Sequence, residues 1–375
     1  MLMFTRKQPR VVLDSPDTKK TNKFKAWVST HKKLAITLGV VGVLLIGGAG
    51  VGAYYFLNQK APEEPKVAVK PKPEPAPEPV KYYSPLTGSE VATSEATHQA
   101  VTGIMIENSP DARPQSGIKD SGVVFEAIAE GGITRFLVLY QEQKPQLVGP
   151  VRSVRAYYVD WVAAFNASVA HVGGSAAALA EVRNGNYRDI DQFFNASTYW
   201  RATDRYAPHN VYTSFEKIDA LNTKKGYTTS AFTGFTRKDS AASATPNATG
   251  INVTISSVNY NSSYTYNATT NTYDRSVGGK SQMDREAGQV SPRVVIAMRV
   301  TQSTVMEDGY RESINAVGTG QAYIFQDGTV QEVTWRKPSK TAQISFSDAE
   351  GKDVPLARGQ TWITAVPNGK AITWQ

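Results

Sequence analysis

The longest apolar run of the chain, LAITLGVVGVLLIGGAGVGAYYFL, occupies residues 34–57 and contains no charged side chain. A helix rises about 1.5 Å per residue, so these 24 residues extend about 36 Å. The hydrocarbon core of a bilayer is roughly 30 Å thick. The pattern therefore predicts a single transmembrane helix over residues 34–57. A cleaved signal peptide is the alternative, but its apolar region usually has about 7 to 15 residues.

The polar segments on the two sides of this run predict its orientation. Residues 1–33 carry nine Lys or Arg against two Asp, a basic tail that the positive-inside rule keeps in the cytoplasm. Residues 58–83 alternate Pro with Lys and Glu, which is typical of an extended linker. We therefore expect a single-pass protein of the cell membrane, with its C-terminal domains extracytoplasmic and the membrane as its first partner.

Beyond the linker the pattern of apolar positions changes once. Residues 84–240 alternate strand-like runs, such as 101–106, with segments of helical spacing at 155–165, 175–183 and 214–221. Residues 250–375 show strand patterns without helical ones. The predicted fold class is an α/β N-terminal ectodomain followed by a β-rich C-terminal domain.

Composition narrows the possible partners. The formal net charge is +8, but the basic tail alone holds +7, and residues 84–375 have equal numbers of basic and acidic side chains. A nucleic-acid partner is therefore not expected. The chain has no cysteine, so an exported domain must be stable without disulfides, which favours a bacterial envelope.

Polar residues of the α/β region concentrate beside glycine or proline at the ends of predicted strands. In open α/β sheets ligands bind at such ends, and arginine suits carboxylate or phosphate groups. The turn HVGGS, at 171–175, could also offer backbone N–H groups to an anion. The predicted ligand-binding residues are Arg113, Gln115, Glu130, Thr134, Arg135, Arg152, Ser153, Arg155, His171, Gly173, Gly174, Ser175, Arg205, His209 and Asn210.

The same segments supply candidates for acid–base catalysis, which needs carboxylate or imidazole groups within reach of a substrate. These candidates are Glu126, Glu130, Asp160, His171 and His209. Structural ion pairs between Arg and Glu explain the same residues. Nothing like HExxH is present, and we expect neither a metal centre nor a cofactor.

Several motifs in order resemble the YerB-like bacterial lipoproteins, a two-part domain of unknown function numbered 3048. The first part carries PLTG (85–88), ARPQSG (112–117), EGGITRF (130–136), GPVRSVR (149–155), HVGGS (171–175) and APHNVYTS (207–214). The second carries YDR (273–275), GTGQAYIFQDG (318–328), TW (334–335) and GQTWI (359–363). The resemblance implies an exported envelope protein and supplies no established reaction.

Two departures from the family pattern stand out. An apolar helix takes the place of the lipidated cysteine, and SQMD (281–284) has methionine where the resemblance implies a histidine before the Asp. We expect a membrane-anchored binding or accessory protein that engages a cell-wall component or wall-synthesis partner through an arginine-rich polar cleft. An envelope hydrolase or transferase is the alternative, and a structural partner in a membrane complex is a third reading. The oligomeric state is left open.

Overall fold

The structure is a computed structural model that describes residues 27–59, 80–304 and 311–375. It divides into two compact units, Met1–Pro77 and Glu78–Gln375, and each is described by itself.

In the first unit, helix α1 spans Lys32–Leu57, and the N–H of Asn58 closes its last turn on the carbonyls of Tyr54 and Tyr55. The predicted helix over residues 34–57 is therefore present. Within the described ranges, however, no helix combines the length and apolarity needed to cross a membrane, so the transmembrane assignment is not shown. The tail up to residue 26 and linker residues 60–79 lie outside the described residues.

The first half of the second unit mixes helices and strands. Its helices are α2 (Ala156–Val162), α3 (Ala176–Val182) and α4 (Phe215–Lys225), and its 3-10 turns are Glu95–His98, Pro110–Ala112, Ala163–Phe165 and Ala196–Thr198. Its strands are β1 (Tyr82–Tyr83), β2 (Glu90–Val91), β3 (Thr102–Glu107), β4 (Val123–Glu130), β5 (Ile133–Tyr140), β6 (Ser168–Ala170), β7 (Arg188–Asp189), β8 (Tyr199–Arg201), β9 (Val211–Thr213) and β10 (Arg237–Lys238).

The second half of this unit is β-rich, as predicted. Its strands are β11 (Gly250–Val253), β12 (Ser262–Asn267), β13 (Thr272–Val277), β14 (Lys280–Ser281), β15 (Met283–Asp284), β16 (Gly288–Gln289), β17 (Val294–Val300), β18 (Gln302–Thr304), β19 (Glu312–Ile314), β20 (Gly318–Gln326), β21 (Thr329–Lys337), β22 (Ser345–Ser347), β23 (Leu356–Ala357), β24 (Thr361–Pro367) and β25 (Ile372–Trp374).

The three predicted helices form near the expected positions, and two of them, α3 and α4, have a serine cap at the start. The Ser175 hydroxyl accepts from the N–H of Ala178 at the start of α3, and the Ser214 hydroxyl accepts from the N–H of Lys217 at the start of α4. Helix α4 ends at Gly226, whose φ of 75° suits glycine. The helical spacing at 155–165 corresponds to α2 followed by a 3-10 turn.

A ten-stranded sheet takes strands from both predicted domains. Its order is β22-β21-β20-β17-β24-β4-β5-β3-β6-β7. Strand β24 pairs parallel with β17 on one side and with β4 on the other, so that Ile363 lies between Ile296 and Phe125. Strands β3, β5 and β4 are antiparallel neighbours. The sheet is therefore mixed: β17, β24, β4, β3 and β6 run in one direction, and β5 lies antiparallel between β4 and β3.

Alternate residues of each strand point to opposite faces of this sheet, and both faces are covered. On one face Phe125 stacks on Trp161 of α2, with 5.2 Å between the ring centroids. The opposite core contains Phe136, Trp362 and Tyr264, the last from a five-stranded antiparallel sheet of order β14-β13-β12-β11-β25. This second face carries the polar groups described next.

Candidate functional site

A buried ion pair connects the two sheets. Glu126 on β4 and Arg275 on β13 are both 0% exposed, and Arg275 Nη2 donates to Glu126 Oε2 over 2.7 Å. Trp362 Nε1 donates to the same oxygen over 3.0 Å, and the guanidinium lies 4.3 Å from the Trp362 ring centroid. Glu126, a predicted catalytic candidate, is thus enclosed and neutralised, so the catalytic assignment is corrected to a structural one.

From Glu126 a chain of buried side-chain hydrogen bonds leads outward, and we call it the amide chain. The Thr134 hydroxyl donates to Glu126 Oε1 over 3.2 Å, and Asn108 Nδ2 donates to the Thr134 oxygen over 2.7 Å. Gln115 Nε2 then donates to Asn108 Oδ1 over 3.0 Å, and Gln282 Nε2 donates to Gln115 Oε1 over 3.3 Å. The chain joins both halves of the unit and ends at a cavity.

That cavity, which we call the Gln282 groove, has a volume of about 370 Å³. Its walls include Pro110, Pro114, Arg113, Val277, Gln282 and Met283. Met283, at the position where the resemblance implied a histidine, is 42% exposed. The groove is therefore bordered by apolar side chains, by the cationic side chains of Arg113 and Lys280, and by the buried amides of Gln115 and Gln282.

A second cavity of about 580 Å³, the arginine basin, shares Arg113 and Pro114 with the groove. Its other lining residues are Asp111, Asp204, Arg205, Tyr206, His209 and Arg285. Three of the predicted ligand-binding residues, Arg113, Arg205 and His209, thus meet at one basin. The segment 110–114 separates the two cavities.

The arginines of the basin differ in their partners. Arg113 donates to Asn108 Oδ1, the Asn108 carbonyl and the Asn259 carbonyl over 3.1, 2.8 and 2.9 Å. Arg205 donates to the carbonyls of Asp111 and Pro114. Neither forms an ion pair with any residue that the structure describes, whereas Arg285 pairs with Asp204 over 2.6 Å. Two guanidinium charges in the basin are therefore oriented without being neutralised.

His209 is fixed at the edge of the basin by Glu107, a residue missed in the sequence. His209 Nδ1 lies 3.0 Å from Glu107 Oε2, and Arg152 Nε lies 3.3 Å from the same oxygen. The Ser109 hydroxyl donates to Glu107 Oε1 over 2.9 Å. Arg152 thus helps to fix the Glu107 carboxylate that orients His209. Asn210 shapes the same loop, because its Oδ1 accepts from Arg201 and its Nδ2 donates to the Ala202 carbonyl.

Glu130, Arg135 and Arg155 form a separate ion cluster at the β4–β5 turn. Arg135 Nη2 donates to Glu130 Oε1 over 2.8 Å, Arg135 Nη1 donates to the Ser153 carbonyl over 2.8 Å, and Arg155 pairs with Glu130 Oε2. Burial lowers the pKa of Arg135. The three cluster residues and Ser153 line neither the groove nor the basin, so their predicted ligand-binding role is not supported by the geometry.

The HVGGS turn is also a structural element. His171 is buried, its Nδ1 lies 2.8 Å from the Gly173 carbonyl, and its Nε2 lies 3.0 Å from Asp189 Oδ1. The Gly173 N–H donates to Asp191, and the Ser175 N–H donates to the Val154 carbonyl. A Cβ on Gly174 would lie 2.8 Å from Val154 Cγ1. Because the N–H groups of Gly173 and Ser175 are used inside the chain, the geometry does not support the predicted anion site at 171–175.

The last catalytic candidate, Asp160, lies on α2 beside Lys340, with 3.6 Å between Nζ and Oδ1. Burial raises the pKa of Asp160. The five candidates are therefore dispersed, and His209 alone among them lines either cavity. Gln115 and Thr134, by contrast, belong to the amide chain.

Sequence reasoning missed Glu107, Asn108, Arg275, Gln282 and Arg285. Two of them lay within quoted motifs, since Arg275 ends YDR and Gln282 lies in SQMD, and Glu107 and Asn108 directly follow the strand-like run 101–106. Arg275 also lies two residues from Tyr273 and two from Val277 on β13, so it shares their buried face. This spacing was a usable signal for an inward side chain.

This site is built from residues that two family models cover. Residues 86–228 match the N-terminal domain, and residues 251–363 the C-terminal domain, of a family of proteins of unknown function, DUF3048. The chain belongs to this family, as its motifs indicated. It is 32% identical over 293 residues to the Bacillus subtilis (strain 168) protein named "Putative lipoprotein YerB", covering 77% of this chain and 87% of that protein. The crystal structure of YerB from Bacillus subtilis superposes with a TM-score of 0.71 at 31% identity, covering 78% of this chain and all of that one.

Proposed function

We propose that this protein is a membrane-anchored, extracytoplasmic binding or accessory protein of the bacterial cell envelope. It engages an anionic group of a cell-wall component, or of a wall-synthesis partner, through the arginine basin. The observation that carries this proposal is the pair of guanidinium groups, Arg113 and Arg205, that are held by carbonyl and amide oxygens and not by carboxylates.

Carbonyl partners orient a guanidinium but leave its full positive charge for a ligand. Arginine cannot lose its proton near neutral pH, so this charge persists and favours an anion. Carboxylate and phosphate groups accept two parallel N–H bonds from such a fork. Because both side chains are already fixed, little conformational entropy is lost when the anion binds.

The proposed location is supported by the sequence and by the relative. The uncharged run at 34–57 follows a basic tail, a pattern typical of a helix with a cytoplasmic N-terminus. The Bacillus subtilis relative is named a putative lipoprotein, and lipoproteins are a membrane-associated class. We infer that the apolar helix serves here as the anchor.

The geometry favours binding over hydrolysis. Two of the carboxylates that a hydrolase would need, Glu126 and Glu130, are each paired to arginine. Asp160 lies elsewhere, beside Lys340. The basin offers one histidine, whose Nδ1 is engaged by Glu107.

The test is retention of the purified full-length protein, in detergent, on isolated cell-wall material. Loss of a hydrogen bond between charged groups costs about 1.5 to 3 kcal/mol, so Arg205→Met should weaken retention at least about tenfold. Arg336→Met is the matched control, because Arg336 is exposed on β21 and lines neither cavity. Equal loss in both variants, or no retention of the unmodified protein, would contradict the proposal.

A further inference from the structure

The amide chain ends in an atom with no partner. Gln282 is 2% exposed, and its Oε1 accepts no hydrogen bond from any described residue. A buried carbonyl left in this state destabilises the fold. Since Gln282 lines the groove, a bound molecule could supply the missing partner.

The direction of the amide chain fixes which end of the Gln282 amide is left without a partner. The Glu126 carboxylate, paired with Arg275, only accepts, so Thr134 must donate to it and must in turn accept from Asn108 Nδ2. Asn108 Oδ1 then accepts from Gln115 Nε2, and Gln115 Oε1 accepts from Gln282 Nε2.

Arg113 fixes the same direction independently. Its Nε is a pure donor and lies 3.1 Å from Asn108 Oδ1, so this end of the Asn108 amide must be oxygen. The atom of this lining residue that remains without a partner is therefore an acceptor, Gln282 Oε1. It requires an N–H or O–H donor from the ligand.

An anion can be bound beside this acceptor. Arg113 and Gln115 donate to the same Asn108 oxygen, which places the guanidinium next to the amide that holds Gln282. Arg113 Nη1 makes no hydrogen bond to the described part of the chain. A Cβ on Gly278, whose φ is 60°, would lie 3.3 Å from Nη1, so glycine keeps this space open.

We propose that the Gln282 groove binds a short peptide with a free α-carboxylate and a small apolar side chain. The carboxylate pairs with Arg113, the last peptide N–H donates to Gln282 Oε1, and the side chain packs against Pro110, Pro114 and Val277. The volume of 370 Å³ lies at the lower end for ligand pockets, which suits a dipeptide. This inference rests on the proposed function, because Arg113 belongs to both cavities.

A neutral sugar is the competing occupant. Its hydroxyl groups could satisfy Gln282 Oε1, but it would leave the Arg113 charge without a partner. The peptide supplies both the donor and the anion, and the observations favour it.

The test uses calorimetric titration of the full-length protein, in detergent, with N-acetyl-alanyl-alanine in its L,L and D,D forms. Two analogues each remove one feature: the C-terminal amide removes the charge, and N-acetyl-alanyl-lactate replaces the last N–H by an ester oxygen. We expect each change to weaken binding about tenfold or more, as for a hydrogen bond to a buried partner or a charged one.

The variant Gln282→Met keeps the side-chain length and removes the acceptor. It should bind N-acetyl-alanyl-alanine and N-acetyl-alanyl-lactate equally. Gln331→Met, the same change at an exposed position of β21, should keep the tenfold preference for N-acetyl-alanyl-alanine. If Gln282→Met fails to fold, the affinities of the unmodified protein for N-acetyl-alanyl-alanine and N-acetyl-alanyl-lactate still test the inference.

Equal binding of N-acetyl-alanyl-alanine and N-acetyl-alanyl-lactate by the unmodified protein would overturn the inference. An undiminished preference of Gln282→Met for N-acetyl-alanyl-alanine would overturn it as well. Binding of a neutral chitooligosaccharide in place of the peptides would assign the groove to sugar and overturn it too. Cell-wall retention that depends on Arg205 without any peptide binding would leave the proposed function standing and the inference refuted.

Discussion

The Glu126–Arg275 pair and the arginine basin both depend on arginine, but the arginine charge is compensated in the pair and uncompensated at two positions of the basin. Arg275 is fully buried and paired with a carboxylate 2.7 Å away, so its charge is compensated inside the protein. Arg113 and Arg205 are held by neutral oxygens and line open cavities. The difference teaches that the partner of an arginine, more than its presence, separates a structural cation from a binding one.

Lys337 is an instructive third case. Its ammonium group is buried and donates to the carbonyls of Lys340 and Ala342 over 2.6 and 2.7 Å. Burial lowers the pKa of Lys337 to about 8. A lysine held by carbonyls can thus lose its charge by losing a proton, whereas arginine as a side-chain type keeps its proton near neutral pH.

The largest expected effect comes from breaking the compensated pair. Arg275→Met leaves Glu126 as a buried carboxylate without its cation, and removal of one partner of a buried pair costs about 3 to 5 kcal/mol. We expect this loss in the free energy of unfolding measured with urea. The double variant Glu126→Gln/Arg275→Met should recover part of it. A loss below about 1 kcal/mol in the single variant would show that the pair does not join the two sheets.

An intermediate effect is expected from Lys337. Its pKa of about 8 in the folded chain is below the 10.5 of the unfolded chain, so the folded form binds fewer protons between these values. Stability should therefore rise with pH above about 8, by at most about 3 kcal/mol. The change is followed as the free energy of unfolding from pH 7.5 to 9.5.

Lys337→Met should flatten this rise, because the titrating group is gone. The difference between the two profiles isolates Lys337 from the tyrosines, which titrate in both proteins. Parallel profiles would contradict the assignment.

The smallest effect is expected from Arg285. Its pairing with Asp204 is solvent-exposed, so Arg285→Ala should change the unfolding free energy by less than about 1 kcal/mol. The same limit predicts a loss of cell-wall retention below about fivefold, smaller than that of Arg205→Met. A larger loss for Arg285 than for Arg205 would reverse the comparison between neutralised and unneutralised arginines in the basin.

Local features of the fold were predictable because they depend on neighbouring residues. The helical spacing at 175–183 and 214–221 predicted two helices, and the strand patterns at 250–375 predicted the strands of the second half. The sharing of one sheet was not predictable, because no local pattern records that Val123 pairs with Thr361. An antiparallel β3–β5–β4 core also looks, in sequence, like the strands of a parallel sheet.

The site was predictable only in part, because some of its features depend on neighbouring residues and others on long-range packing. Arg113, Gln115, Arg205 and His209 do line the cavities, since polar residues beside proline mark surface loops. Arg135 and Arg155 resemble them in sequence, but Glu130 accepts from both in the folded chain. Which arginine meets a carboxylate is decided by long-range packing, which spacing does not record.

The position of β24 between β17 and β4 has a consequence for how the chain acquires its structure. Synthesis proceeds from the N-terminus, so β4 is complete long before residues 361–364, which pair with it, exist. Until then one edge of β4 offers unpaired backbone groups, a state prone to pairing with other chains. Such distant pairing also makes folding slow, because the intervening loop must close first. Strand β24, at the centre of the ten-stranded sheet, is thus the last strand of that sheet to be synthesised. The proposed binding surfaces contain residues of both halves of the unit and form only after it.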